Sequence, residues 1–162
     1  KDTAAAVLAG FGYKQVSFAT PIKLALNAAF GWELSQWEDR EWKEAEQKDL
    51  GMSPRVAAQT LGTDWGRANN PNIWINQLAR LTDHTHYVIS DVRFANEVNW
   101  IQDNGGVVVH IDRPGTVIVS AHSSENDISR KADAILKNDE DVETFKAVVA
   151  VSIKALADRL NT

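Results

Sequence analysis

The sequence predicts an α/β fold in which a parallel sheet is covered by helices on both faces. Short apolar runs that read as strands, "QVSFA", "HYVISD", "VVVHI" and "ADAILKN", alternate with longer stretches of helical pattern, and strands separated by helices indicate βαβ units. The 162 residues are 44% hydrophobic, enough to bury one sizeable core, so residues 1–162 are expected to form a single domain. The strand-like runs also end in polar and charged residues, and sheets of this kind bind ligands beyond the carboxyl ends of their strands.

The elements follow in order. "DTAAAVLAG" reads as a short helix closed by Gly10 and Gly12, and "QVSFA" as a buried strand. "PIKLALNAAFG" places Pro21 in a first turn, spaces Ile22, Leu24, Leu26 and Ala29 around a buried face, and stops at Gly31. Residues 32–52 change character. "WELSQWEDREWKEAEQKD" is dense in charge and holds three tryptophans, Trp32, Trp37 and Trp42, whose spacing makes no single helical stripe; a solvated helical insertion or flap, rather than core, is expected there. "SPRVAAQTLGTDWG" gives Ser53 as N-cap, Pro54 in the first turn and a helix ending near Gly62.

"NIWINQLARL" is a further helix, and "HYVISD" fits a buried parallel strand. "RFANEVNWIQDNGG" is a helix closed by paired glycines, "VVVHI" and "ADAILKN" are strands, and "DVETFKAVVAVSIKALADRL" is a long terminal helix. A lid-like loop is expected around residues 113–130.

Composition excludes several classes of function. The net charge is -5 and the pI about 5.3, so there is no overall basic field to hold a nucleic-acid polymer. With no cysteines there are no disulfides or thiolate metal sites, and the apolar runs are too short to span a bilayer. A cytoplasmic protein acting on small molecules, with no membrane partner, is the expectation.

Chemistry-bearing residues gather at the strand ends. "VISDVR" brings Asp91 and Arg93, "VHIDRPG" brings Asp112 and Arg113, and "ILKND" brings Asn138 and Asp139. Singly, such an Asp is most often a helix cap and such an Arg a solvated side chain. Two Asp and Arg pairs at strand ends of one sheet would instead place guanidinium forks, which match phosphate geometry, at the functional edge. Lys1, Asp2 and Thr3 head the first helix as the end of a phosphate-binding loop would, or as a helix that simply begins with a charge.

In order along nearly the whole chain, "KDT", "FATPIKLALNAAFG", "SPRVAAQTLGTDWGR", "WINQLA", "SDVRFANEVNWIQDNGGVVVHIDRPG", "HSSE" and "ADAILKND" resemble the phage-type deoxynucleoside monophosphate kinases, members of the P-loop kinase fold. "LGTDWGR" and "DVRFANE" are the specific pieces. The resemblance implies a three-layer P-loop kinase-like sheet and phosphoryl transfer from ATP, with Mg²⁺, to a deoxynucleoside 5'-monophosphate in a phage-infected or prophage-bearing bacterial cytosol. It also leads us to expect a first strand and a glycine loop ahead of Lys1.

By the same resemblance, Lys1 reaches the β/γ-phosphates, while Asp2 and Thr3 hold Mg²⁺ or contact phosphate. Arg93 takes the acceptor phosphate and Arg113 acts as a lid arginine. Arg55, Asp64, Arg67, Trp74, Asp91 and Glu97 surround the acceptor, with Glu97 either recognising the base or pairing with Arg93 at i,i+4, and Trp74 either lining the pocket or serving as core. Asn138 and Asp139 sit where the donor adenine is held, and His122 with Glu125 form a lid latch. Another P-loop small-molecule kinase, such as a dephospho-coenzyme A kinase type, and a non-catalytic nucleotide-binding module are the alternatives. The bases accepted, and the choice between monomer and homodimer, are left open.

Overall fold

The computed structural model describes residues 1–82, 86–114 and 131–160. In chain order the elements are α1 (Asp2–Gly10), β1 (Lys14–Val16), α2 (Thr20–Phe30), a 3₁₀ turn (Leu34–Glu38), α3 (Arg40–Glu44) and α4 (Pro54–Gln59). A π-helical segment (Thr60–Arg67) continues α4 and is followed by α5 (Ile73–Leu81), β2 (Tyr87–Ile89), α6 (Ala95–Asp103), β3 (Val109–Asp112), β4 (Ala134–Lys137) and α7 (Val142–Leu160). Chain contacts divide these elements into two compact units, Lys1–Val16 with Thr85–Thr162 and Ser17–His84.

The first unit is α/β with parallel strands. β1 pairs with β2, Lys14 opposite Tyr87 and Val16 opposite Ile89; β3 pairs with β4, Val109 opposite Ala134 and Asp112 opposite Lys137. The two parallel pairs are separate two-stranded sheets, and α6 lies in the chain between β2 and β3. The strands expected to be buried are only half-buried along β2, and Ile135 in β4 is exposed. The cause is that each described strand has a ladder partner on one side only.

Helix α1 packs on β1, β2 and α7 through Ala5, and α7 contributes Phe145 and Val149, all buried. Small Ala5 lets the helix approach closely. Gly12, at φ +89, turns the chain from α1 into β1 in a conformation that only glycine adopts without strain. Val98 of α6 packs on Val108, with Val92, Ile101 and Ala132 around them. Asp133 ties this cluster to β4: its carboxylate accepts from the Val108 N–H at 2.8 Å and from Gln102 Nε2 at 3.1 Å.

Asp141 caps α7, accepting from the N–H groups of Glu143 and Thr144 at 2.9 Å and from the Thr144 hydroxyl at 3.0 Å. These bonds, first the one from the Thr144 N–H, hold its carboxyl below the ordinary value. The cap therefore contributes fully above the usual carboxylate pKa and fades as pH falls through its lowered folded value.

The second unit is helical, and its core corrects the expectation for residues 32–52. Trp37 is 3% exposed in a cluster with Ile22, Leu26, Ala57 and Trp74, and Trp32 and Trp42 pack against it. The three indoles meet edge to face, with centroids 5.2 to 6.0 Å apart and interplanar angles of 68° to 87°. Trp37 Nε1 donates to Asn27 Oδ1 at 2.8 Å, so its polar atom is satisfied. The tryptophans are core because the segment is not one helix. Asp39 ends the 3₁₀ turn in an extended conformation, and its carboxylate then caps α3 by accepting from the N–H groups of Glu41 and Trp42. That bend brings together rings that a straight helix would splay.

Ser53 caps α4 as expected, its hydroxyl accepting from the Val56 N–H at 3.4 Å, but the helix does not end near Gly62. It widens into the π-helical segment instead, and the reason is Trp74. Gly62 and Gly66 are both buried, Trp74 Nε1 donates to the Gly62 carbonyl at 2.7 Å, and a Cβ on Gly66 would stand 2.6 Å from Trp74 Cζ2. The two glycines let the helix run on across an indole ring.

Candidate active site

In the first unit, the carboxyl ends of the strands carry the predicted residues. The register of β3 and β4 places Asp112 beside Lys137, so Arg113 and Asn138 leave the pair side by side, and the Asn138 N–H donates to the Asp112 carbonyl at 2.7 Å. Arg113 and Asp139 are exposed, as a pair of ligand-facing groups would be. Lys1 and Asp2 are exposed at the head of α1 and Thr3 is half-buried. Among the described residues no side chain caps this helix, so its first N–H groups have no described side-chain acceptor.

Beyond β2 the chain leaves through Ser90 and Asp91 to Arg93. Asp91 is half-buried and engaged within the structure. The Arg93 guanidinium is exposed and, among the described residues, pairs with no side chain, so the i,i+4 ion pair with Glu97 is not formed. Glu97 acts on the backbone instead. Its side chain is 1% exposed, and Oε2 accepts from the N–H groups of Arg93 at 2.7 Å and Phe94 at 3.1 Å.

The remaining predicted residues belong to the second unit. Arg55, in the first turn of α4, sets Nε 2.6 Å from Glu44 Oε1, with both side chains about half exposed. An exposed pair of this kind contributes about 0 to 1 kcal/mol, little enough for a ligand to displace it. Asp64 is exposed, and Arg67 is half-buried with a guanidinium N–H donating to the Pro71 carbonyl at 3.3 Å. Trp74 is 5% exposed and packs in the core beneath the glycines.

Trp65, to which the sequence reading gave no role, is 54% exposed on the π-helical segment. The signal was present in "LGTDWGR". Gly62 and Gly66 lie four apart and turn to the core, leaving Thr63, Asp64 and Trp65 exposed between them. His122, Glu125 and the loop from residue 115 to 130 lie outside the described residues.

Among the described residues no three acidic, His or Cys side chains group as a metal site. No helix among the described residues is long and apolar enough to cross a membrane.

A family profile described as "Deoxynucleotide monophosphate kinase" matches residues 33–149. A protein of Acanthamoeba polyphaga mimivirus named "Putative deoxynucleotide monophosphate kinase" is 33% identical over 169 residues, covering 90% of this chain and 86% of that protein. Among solved structures, dephospho-CoA kinase from Campylobacter jejuni is similar with a TM-score of 0.47 and 15% identity, over 95% of this chain and 90% of that one.

Proposed function

The chain belongs to the deoxynucleotide monophosphate kinase family, and from that membership we infer that it is an enzyme transferring the γ-phosphoryl group of ATP to a deoxynucleoside 5'-monophosphate. The observation that carries the reading is the family match over residues 33–149, which spans every candidate from Arg55 to Asp139. The chemistry needs little covalent work, only in-line positioning of two phosphates and cancellation of the charge that builds between them.

Arg93, exposed with its guanidinium free among the described residues, takes the acceptor phosphate, and Arg113 neutralises charge on the transferred group. Lys1 and the N-terminal N–H groups of α1 receive the donor phosphates, while Asp2 and Thr3 would supply oxygens to a Mg²⁺ that would offset the charge of the phosphates. Asn138 and Asp139 meet the donor adenine beside Arg113. Arg55, Asp64, Arg67 and Asp91 serve the acceptor, and Trp65 offers the exposed aromatic face on which its base stacks. We place the protein in the cytosol of an infected host cell, a viral setting that the mimivirus relative supports.

The deciding experiment is a coupled assay for ADP with ATP, Mg²⁺ and each of the four deoxynucleoside monophosphates in turn. ADP formed only when a nucleotide acceptor is present supports the reading and reports base preference. ATP turnover with no acceptor dependence, or none at all from folded protein, defeats it. In the same assay Trp65→Ala should raise the acceptor KM about tenfold or more, because stacking contributes about 1 to 3 kcal/mol per base. The KM for ATP and the thermal midpoint should hardly move, since an exposed side chain contributes little to packing.

A further inference from the structure

Glu97 is the one charged side chain buried among the described residues. Taking a carboxylate out of water is costly unless hydrogen bonds replace the lost solvent, and here two backbone N–H groups converge on one oxygen. A glutamate at the third position of a helix ordinarily reaches back to the N-cap N–H as half of a reciprocal box, whose other half is a Ser or Thr hydroxyl at the N-cap. In α6 the N-cap is Phe94, which has no acceptor, and Glu97 reaches one residue further, to Arg93.

A cap needed only to satisfy the helix end would be met by a short polar residue at the N-cap, without burying a charge. The buried carboxylate adds something else. It fixes the backbone of Arg93 and Phe94 and therefore the direction in which the Arg93 side chain leaves the chain. The backbone of Arg93 is tied while its guanidinium is exposed and pairs with no described side chain.

We propose that Glu97 is a positioning residue that aims Arg93 at the acceptor phosphate, rather than a group that reads the base. The proposal rests on the kinase reading and on the role of Arg93 within it. Glu97 acts through Arg93, so removing either should disable the same step, and the two losses should not add.

The test is a double-mutant cycle of Glu97→Ala and Arg93→Ala, with Glu97→Gln as the conservative variant, assayed well below the lowest thermal midpoint of the set. Glu97→Ala should lower kcat about tenfold or more, with the KM for ATP and the order of preference among the four bases unchanged. In the Arg93→Ala background it should lower kcat less than about twofold. Glu97→Gln keeps an oxygen for the two N–H groups, so it should restore kcat to within about fivefold. Additive losses, a changed order of base preference, or a lowered midpoint with unchanged kcat would each overturn the proposal. Absent turnover in the unsubstituted protein would defeat the kinase reading, and this role with it.

Discussion

Arg93→Ala should abolish most turnover while leaving the fold intact. The guanidinium is exposed and bonded to no described side chain, and Glu97 holds the backbone around it through N–H groups that the substitution keeps. Nothing in the packing depends on it. A charge-assisted contact that strengthens as phosphoryl transfer proceeds contributes roughly 2 to 4 kcal/mol, so kcat/KM for the acceptor should fall about a hundredfold or more. Circular dichroism and the thermal midpoint should match the unsubstituted protein. Undiminished turnover in this variant would remove Arg93 from the acceptor site.

Gly66→Ala should be the most destabilising single-methyl change in the second unit. The added Cβ would lie 2.6 and 2.8 Å from two atoms of the Trp74 ring and 2.9 Å from the Leu61 carbonyl oxygen. None of these is the loose end of a flexible chain: the ring is buried and its N–H is bonded to Gly62. Relief requires displacing the ring or opening the helix, at a cost of about 1 to 3 kcal/mol, read as a lower midpoint in urea. Gly10→Ala is the control. It has open space around it and ends a helix, so its midpoint should stay level or rise slightly. Equal stability of the two variants would show that Trp74 does not hold the π-helical segment as described.

The strand and helix order was legible because period and punctuation agree along most of the chain. Gly31 ends α2 in a left-handed cap, Ser53 begins α4, and the apolar run after Gly106 holds β3, whereas the strand after Gly12 is Lys14–Val16, largely exposed, and not the buried run expected over Gln15–Ala19. Asp91, Arg93, Arg113, Asn138 and Asp139 were legible as residues that follow strand ends, because that placement needs only the order of the elements. What failed required packing. Charge density in "WELSQWEDREWK" argued for a solvated flap, yet the bend at Asp39 buries Trp37 among its neighbours. The glycines of "LGTDWGR" read as a helix stop, whereas they are surfaces for an indole twelve residues away from Gly62, a separation no local rule spans. The burial of Trp74 and the exposure of Trp65 depend on the same packing. Glu97 was read in sequence as recognising the base or pairing with Arg93, and the backbone amides it accepts from carry no residue signature.

The tryptophans have a spectroscopic consequence. Five of the six, Trp32, Trp37, Trp42, Trp65 and Trp74, fall within Ser17–His84, and only Trp100 lies in the other unit. Three of the five stand edge to face at 5.2 to 6.0 Å, close enough for their transitions to couple and give a strong near-ultraviolet dichroic signal. Intrinsic fluorescence and near-ultraviolet dichroism thus report almost wholly on the helical unit, while far-ultraviolet dichroism reports on both. Whether the two units melt together can be read by comparing those signals, with no label introduced.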